Sequence, residues 1–391
     1  MASGTPVTAA GRVRQTYLYG PTLHLRAVER EDAVDEPCWR NRWFPRARAV
    51  SEASIEDEHG SDSLLVAVRN DDDVILGSVT IETEGAWRQA RPFVARWLDR
   101  AHADAVEAEI IALILPFLVD EGGAITALVE IASGKPLVEA ALDRIGARRC
   151  YRHREAWQLD GARRDKLGYQ LFDGRAVELF GEPEIAAEEP ATPAARVPAP
   201  ACWPRVEMPP TGAVIVGGRL YLRPFTPEDS AIARDAVLEE TEFAHEPRFP
   251  VGSIEIRNTV RRAADAALPA EVIFAIALRE NDRLIGRTKL KNLDLVHRCA
   301  ETGTRLYRPE DRGMGYGTEA KHLILGYAFE VLNLHMLWSQ AWEINPRSRA
   351  AVRKQGYRLA GTSAWRQMHH GLPSSDWTFD LLASEWRDAR R

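Results

Sequence analysis

Residues 312–335 run R-G-M-G-Y-G-T-E-A-K-H-L-I-L-G-Y-A-F-E-V-L-N-L-H. The stretch opens on Arg312, Gly313, Gly315 and Gly317 and then settles into a helical period. Ala320, Leu323, Ile324, Tyr327, Ala328 and Val331 recur at three- and four-residue spacing along one face. Just upstream, Thr304-Arg305-Leu306-Tyr307 has the pattern of a strand, which Pro309 stops. Strand, glycine-rich turn and helix N-terminus together make an anion cradle. The first-turn N–H groups lack acceptors, and glycine lets a phosphate approach the backbone. The plainer alternative is a flexible turn before a core helix. Two common phosphate loops are excluded: no Lys-Ser or Lys-Thr follows at P-loop spacing, and the glycine order is not a dinucleotide fingerprint.

Arg312-Gly313-Met314-Gly315-Tyr316-Gly317 fits R/Q-x-x-G-x-G/A and resembles the pyrophosphate loop of the GNAT superfamily of N-acetyltransferases. Gly218 to Pro224, with Glu228-Asp229 after it, resembles the first strand and helix of its RimJ/RimL branch. Leu284-Ile285-Gly286 is similar to that branch's third strand. Asn345-x-x-Ser348 and Lys354-x-Gly356-Tyr357 are similar to the segment after its fifth strand. The resemblance implies an α/β fold of the mixed-sheet α+β kind, acetyl-CoA as cofactor, and acetyl transfer to a primary amine. It gives cofactor contacts to the loop from Gly313 to Thr318 and to the backbone amides of Arg305, Leu306 and Tyr307. Such preorganised amides stabilise a developing oxyanion. Arg312 either supports the loop or pairs with a phosphate. Asn345 is a cofactor or water contact.

Ser348 is the proton donor that the branch implies, with a helix N-cap as its plainer role. Val352 stands where many family members carry a tyrosine. Glu301, at the start of the strand, is the general-base candidate, against the commoner solvated strand end. An α-amine needs little help from a base, and a lysine-type amine needs more. For the acceptor pocket the fold implies Glu239, Glu240, Glu242, His245 and Glu246 in one region and Trp365, His369 and His370 in another. A charge run is more often a solvated face, and adjacent histidines seldom converge on one ion, so no metal is expected.

The chain of 391 residues suits two domains. A net charge of -6 disfavours nucleic acid as the main partner. Cys38, Cys150, Cys202 and Cys299 form no metal or disulfide spacing. The first twenty residues lack the apolar core of a signal peptide. The longest apolar run, Ile110 to Val119, is half of the roughly 20 residues a bilayer span needs. A cytoplasmic protein without membrane partners is expected, with a small-molecule or peptide amine as acceptor and room for a homodimer.

Landmarks repeat along the chain. Gly146 lies 210 residues before Gly356, and Gly161 lies 210 before Gly371. Ile75-Leu76-Gly77 precedes Leu284-Ile285-Gly286 by 209. This offset implies two tandem GNAT domains. They would be a tail at 1–20, a first copy at 21–181, a Pro/Ala-rich linker at 182–212, and a second copy at 213–391. At the offset, the glycine loop falls on His102-Ala103-Asp104-Ala105-Val106-Glu107, Asn345 on Lys135 and Ser348 on Val138. With its glycines gone and carboxylates in their place, the first copy is expected to bind no cofactor. An acyl-CoA-binding protein without catalysis is the competing reading of the whole chain.

Overall fold

The computed structural model describes residues 17–32, 52, 64–84, 86–94, 100–190, 210, 212–239, 252–265 and 269–389. The tail before residue 17, the linker stretch 191–209, Cys38, Cys202 and the acidic run from Glu240 to Glu246 lie outside them. Among the described residues no helix is long and apolar enough to cross a membrane. The chain forms two compact units. One holds residues 1–150, 167–183 and 364–367, and the other holds 151–166, 184–363 and 368–391. These limits differ from the expected 21–181 and 213–391, because segments late in each half pack into the other unit.

The first unit begins with β1 (Leu18–Tyr19), β2 (Leu23–Ala27), β3 (Leu64–Arg69), β4 (Ile75–Glu84) and β5 (Trp87–Val94). These pair antiparallel in chain order. Helix α1 (Arg100–Asp120) crosses to β6 (Thr126–Ala132), which lies parallel to β5. Then come α2 (Pro136–Arg144), β7 (Arg148–Leu159), β8 (Ala162–Phe172) and α3 (Gly174–Phe180). Ile110, Ile111, Ile114, Leu115 and Leu118 of α1 are all buried. The stretch from His102 to Glu107, expected as a turn, is helical throughout. Without glycines to favour positive φ there, the helix simply starts earlier. Glu107 is buried and ion-paired with Lys135, the residue before α2.

The second unit contains β9 (Ile215–Val216), β10 (Leu220–Pro224), α4 (Asp229–Glu239), α5 (Ser253–Asp265), β11 (Val272–Leu278), β12 (Leu284–Asp294) and β13 (Cys299–Leu306). Next are α6 (Tyr316–Gly326), continued by a π-helical turn at Tyr327–Val331, β14 (Met336–Trp342), α7 (Pro346–Arg353), β15 (Arg358–His369), β16 (Leu372–Leu382) and α8 (Ala383–Asp388). Its strands follow the order β9-β10-β11-β12-β13-β14-β16-β15. Ala320, Leu323 and Ile324 of α6 pack with Leu222, Ile276, Ile285, Leu337 and Phe379 in the main core.

Residues 151–166 and 184–190 are tied into this unit by hydrogen bonds and charge. Ala186 N donates to Thr362 Oγ1 and Glu189 N to Leu359 O, both at 3.0 Å, so the start of the expected linker runs bonded alongside β15. Asp380 is fully buried. Its Oδ1 accepts from Arg358 Nε at 2.9 Å and from Arg154 Nη2 at 2.8 Å. Its Oδ2 accepts from Arg358 Nη2 at 2.8 Å and Arg154 N at 3.0 Å. Arg154 also holds Glu385 at 2.6 Å.

Burial alone would raise the Asp380 carboxyl, but the hydrogen bonds and charges of Arg358 and Arg154 outweigh it and hold the group below its ordinary range. Its stabilising contribution is therefore present above the unfolded-state value and is lost as pH falls through the folded one. Replacing Arg154 with methionine leaves Asp380 half-compensated and Glu385 without this partner. We expect a loss of about 3 kcal/mol in urea unfolding, the lower end for breaking a buried pair, and an acid-unfolding midpoint shifted to higher pH. An unchanged acid midpoint would show that Arg358 suffices.

Candidate functional site

β13 and β14 are parallel and pair over only three residues, Cys299–Glu301 with Met336–Trp338. Beyond that, β13 continues along β12 and β14 continues along β16, so a gap opens between them. Thr302 closes its base: Ser339 Oγ donates to Thr302 O at 3.2 Å, and the Thr302 and Tyr357 hydroxyls meet at 2.9 Å. Tyr357 is buried, and burial pushes its phenol far up, so it stays protonated. It lies on the floor of the gap and is the last residue of the Lys354-x-Gly356-Tyr357 motif.

Antiparallel pairing decides which β13 amides reach the gap. Along such a ladder, residues alternate between bonding the partner strand and facing away from it. Thr302 turns its carbonyl to Ser339, while Tyr307 N donates to Ile285 O of β12 at 2.9 Å. The alternation therefore sends the Thr304 and Leu306 N–H groups into the gap and those of Arg305 and Tyr307 to β12. Of the three expected amide donors, only Leu306 is oriented for the role.

The glycine loop stands past the end of β13. Gly313 and Gly315 have φ of 77° and 82°, and Gly315 caps α6. The N–H groups of Tyr316, Gly317 and Thr318 follow in the first turn, without intrahelical acceptors. A Cβ on Gly313 would meet nothing within 4 Å, whereas one on Gly315 would approach Arg219 Nη2 at 3.2 Å. Arg219 laces the loop: Nη1 donates to Met314 O at 2.8 Å, Nε pairs with Glu319 at 2.9 Å, and the guanidinium lies 4.7 Å from the Tyr316 ring centroid. Its partners lie 95 and 100 positions away, a separation no local pattern records. Arg312 Nη2 donates to the carbonyls of Leu306 at 3.3 Å and Tyr307 at 3.2 Å, a brace for the strand end. Asp311, buried, is held by Arg283 at 2.6 Å. Lys321, one turn after Gly317, is buried without a hydrogen bond among the described residues, and burial pulls its ammonium down to about 8.

Asn345 and Ser348 stand past the end of β14, on the other arm of the gap. Asn345 is the N-cap of α7, its Oδ1 accepting from Ser348 N at 3.0 Å. Ser348 is thus the capped third residue rather than the cap, and its hydroxyl has no hydrogen-bond partner among the described residues. Glu301 sits at the apex, buried rather than solvated, with Lys291 Nζ at 2.7 Å and Asn292 Nδ2 at 3.3 Å. Trp365 does not join this site; it belongs to the first unit, edge-on to Phe172 at 5.2 Å. His369 and His370 meet edge to face, ring centroids 4.2 Å apart, at the end of β15. No group of metal-ligating side chains occurs among the described residues.

Residues 219–358 match the family model described as an acetyltransferase (GNAT) domain. A solved structure from Sphaerobacter thermophilus DSM 20745, assigned as an acetyltransferase, is similar at 30% identity. It covers 40% of this chain and 98% of its own, with a TM-score of 0.32. Spermidine N-acetyltransferase from Vibrio cholerae, solved with CoA and spermine, is similar at 20% identity over 43% of this chain and 98% of its own, with a TM-score of 0.39.

Gly317 has an ordinary φ, and a Cβ there would make only a 3.7 Å contact with Leu306. Gly317→Glu should therefore fold with little change in melting temperature while placing a carboxylate at the first turn. CoA affinity, by calorimetric titration, should drop by at least about tenfold, more than 1.4 kcal/mol of repulsion and lost access. Unchanged affinity would put the phosphates elsewhere.

Proposed function

We propose that this chain, an N-acetyltransferase that uses acetyl-CoA and carries an acetyltransferase (GNAT) domain at residues 219–358, acetylates a primary amine in the gap between β13 and β14. The observation that carries the reading is the gap itself, flanked by a glycine-opened helix N-terminus on one arm and Ser348 on the other. The cradle suits a pyrophosphate: two glycines at positive φ and three first-turn N–H groups without intrahelical acceptors, with Glu319 drawn off by Arg219. Acetyl-CoA supplies the thioester acyl group. Leu306 N–H holds the carbonyl oxygen and stabilises charge developing on it. Glu301, buried beside Lys291, receives the amine's proton directly or through one water. Ser348 Oγ provides a proton on the sulfur side.

We further propose that the first half is a degenerate copy of the same RimJ/RimL-like domain. The halves run through similar orders of strands and helices. Residues of positive φ also recur at an offset of 210: Gly123 and Asn333, Gly146 and Gly356, Glu155 and Trp365, Asp160 and His370, Gly161 and Gly371. Where the second copy offers Gly317 and Asn345, the first has the Glu107–Lys135 ion pair, a self-filled position.

Two measurements test these readings. CoA titration of the full chain should saturate at one equivalent, and two would overturn the degenerate copy. Ser348→Ala should lower kcat far more than it raises KM for acetyl-CoA while leaving the melting temperature in place, because the cap is Asn345. A loss of stability without loss of turnover would assign Ser348 to packing alone.

A further inference from the structure

Two polar side chains stand without partners in the core behind the glycine loop. Lys321 lies one turn after Gly317, between Ala320 and Ile324 on the buried face of α6, and is 8% exposed. Its ammonium makes no hydrogen bond or ion pair among the described residues. Burial is the sole cause that pulls it down to about 8, so no charged group compensates it. The titratable side chains of that core are the phenols Tyr316, Tyr327 and Tyr357, and none of them bonds it. Charged neighbours on the packed elements are engaged elsewhere: Glu319 with Arg219 of β10, Arg353 of α7 with Glu189, and Arg387 of α8 with Phe329 O. On this face β12 and β13 present Thr288 and Thr304, bonded to one another at 2.8 Å.

The second is Gln355, two residues past α7 and buried. Its Nε2 donates to Thr318 O at 3.3 Å, which seats the amide against the first turn of α6, yet its Oε1 has no partner. Buried polar atoms are nearly always bonded, and a buried charge without a counter-charge is costlier still. At the offset of 210, Lys321 and Gln355 correspond to Ile111 and Ile145, which both pack in the apolar core of the first unit. The unit with the glycine loop thus carries an ammonium and an amide where the unit without it carries hydrocarbon. A helical side chain covers the turn N-terminal to its own Cα, here Gly317 and Thr318. A Cβ on Gly317 would have only Leu306 Cδ1 within 4 Å, so the space over that turn is open.

We infer that Lys321 is a cofactor-binding residue, its ammonium pairing with a phosphate oxygen of the bound pyrophosphate while donating a second hydrogen bond to Gln355 Oε1. The backbone donors of the cradle are neutral, Arg219 is held by Glu319, and Arg312 braces the carbonyls of the strand end. A diphosphate brings negative charge to that turn, and Lys321 answers it with a full positive charge from a low-dielectric wall, where the attraction is strong. An ammonium is a point charge with three donors, enough for a phosphate oxygen and an amide together. The cofactor thereby completes a pair that the empty core leaves open. This inference rests on reading the glycine loop as a pyrophosphate cradle.

The test is calorimetric titration of the full chain with desulfo-CoA, which keeps the diphosphate and has no thiol to ionise. Its phosphates are already deprotonated above about pH 7.5. Pairing favours the ammonium, so binding at about pH 9 should take up a proton, read from heats in two buffers of different ionisation enthalpy. Wild-type affinity should hold level up to about 8, where the free ammonium titrates, and fall above it by up to about tenfold per pH unit. Lys321→Met keeps the stem and removes the charge. It should hold or raise the melting temperature without cofactor, abolish the proton uptake, and weaken binding at neutral pH by at least about tenfold, the loss that one charged hydrogen bond commonly carries. Lys321→Arg, charged throughout, should bind at neutral pH and lose the fall at high pH. Affinity and proton uptake unchanged in Lys321→Met overturn the inference. An uptake seen with CoA and missing with desulfo-CoA overturns it too, because the ammonium would then serve the sulfur. Should the methionine variant fail to fold, the arginine variant decides, and a pH profile like that of the wild type overturns the assignment. A wild-type chain that binds neither CoA nor desulfo-CoA would refute the cradle itself, whereas binding without a part for Lys321 refutes this inference alone.

Discussion

The second unit depends on a limit to strand pairing: β13 and β14 are bonded for three residues and then separate. Backbone N–H and C=O groups left without partners are costly when buried, so two strands rarely part unless each is held on its other side. Here β12 holds the outer edge of β13 as far as Leu306, and β16 holds β14 as far as Trp342. Thr302, Ser339 and Tyr357 complete the vertex with side-chain hydrogen bonds where the ladder stops. The free inner edges of the two arms are then available to something that is not a strand. An extended chain with amide and carbonyl groups, such as a pantetheine arm, meets that requirement.

The same vertex separates two chemistries. Strand alternation puts Ala300 and Thr302 on the side of α6, where Ala300 joins an apolar core that also holds Tyr357. Glu301, Gly303 and Arg305 face the other way, among lysines and arginines of β12.

Much of the fold was legible from the chain alone. Glycines at 313 and 315 marked the two positions that adopt positive φ, and the three- and four-residue spacing after them marked the buried face of α6. The amide assignment went too far because treating 304–307 as a strand already implied alternation, which allows every second amide, not three in a row, to face one side. Three other features had no local signal. Arg219 finds Glu319, and Arg154 finds Asp380, across separations that no periodicity records. Trp365, expected near the acceptor from the loop between the last two strands, packs in the first unit instead. His102–Glu107 was expected as a turn by analogy with the glycine loop, but a stretch without glycines has no reason to turn, and the helix runs through it from Arg100.

The first half of the chain also contributes to the second unit. Its hairpin, residues 151–166, belongs to the second unit, where Arg154 supplies part of the charge that Asp380 needs. Asp380 has no access to water, and Arg358 must share its two oxygens with Arg154 rather than satisfy them alone. A chain cut between the halves would therefore lose hydrogen bonds from inside the second unit, and an incompletely compensated buried carboxylate is among the costlier defects a core can carry. His153 adds a 2.7 Å contact to the buried Thr378, two residues before Asp380 on β16. Glu107 and Lys135 of the first unit satisfy one another as an ion pair, whereas Arg154 cannot change without leaving Asp380 short of hydrogen bonds.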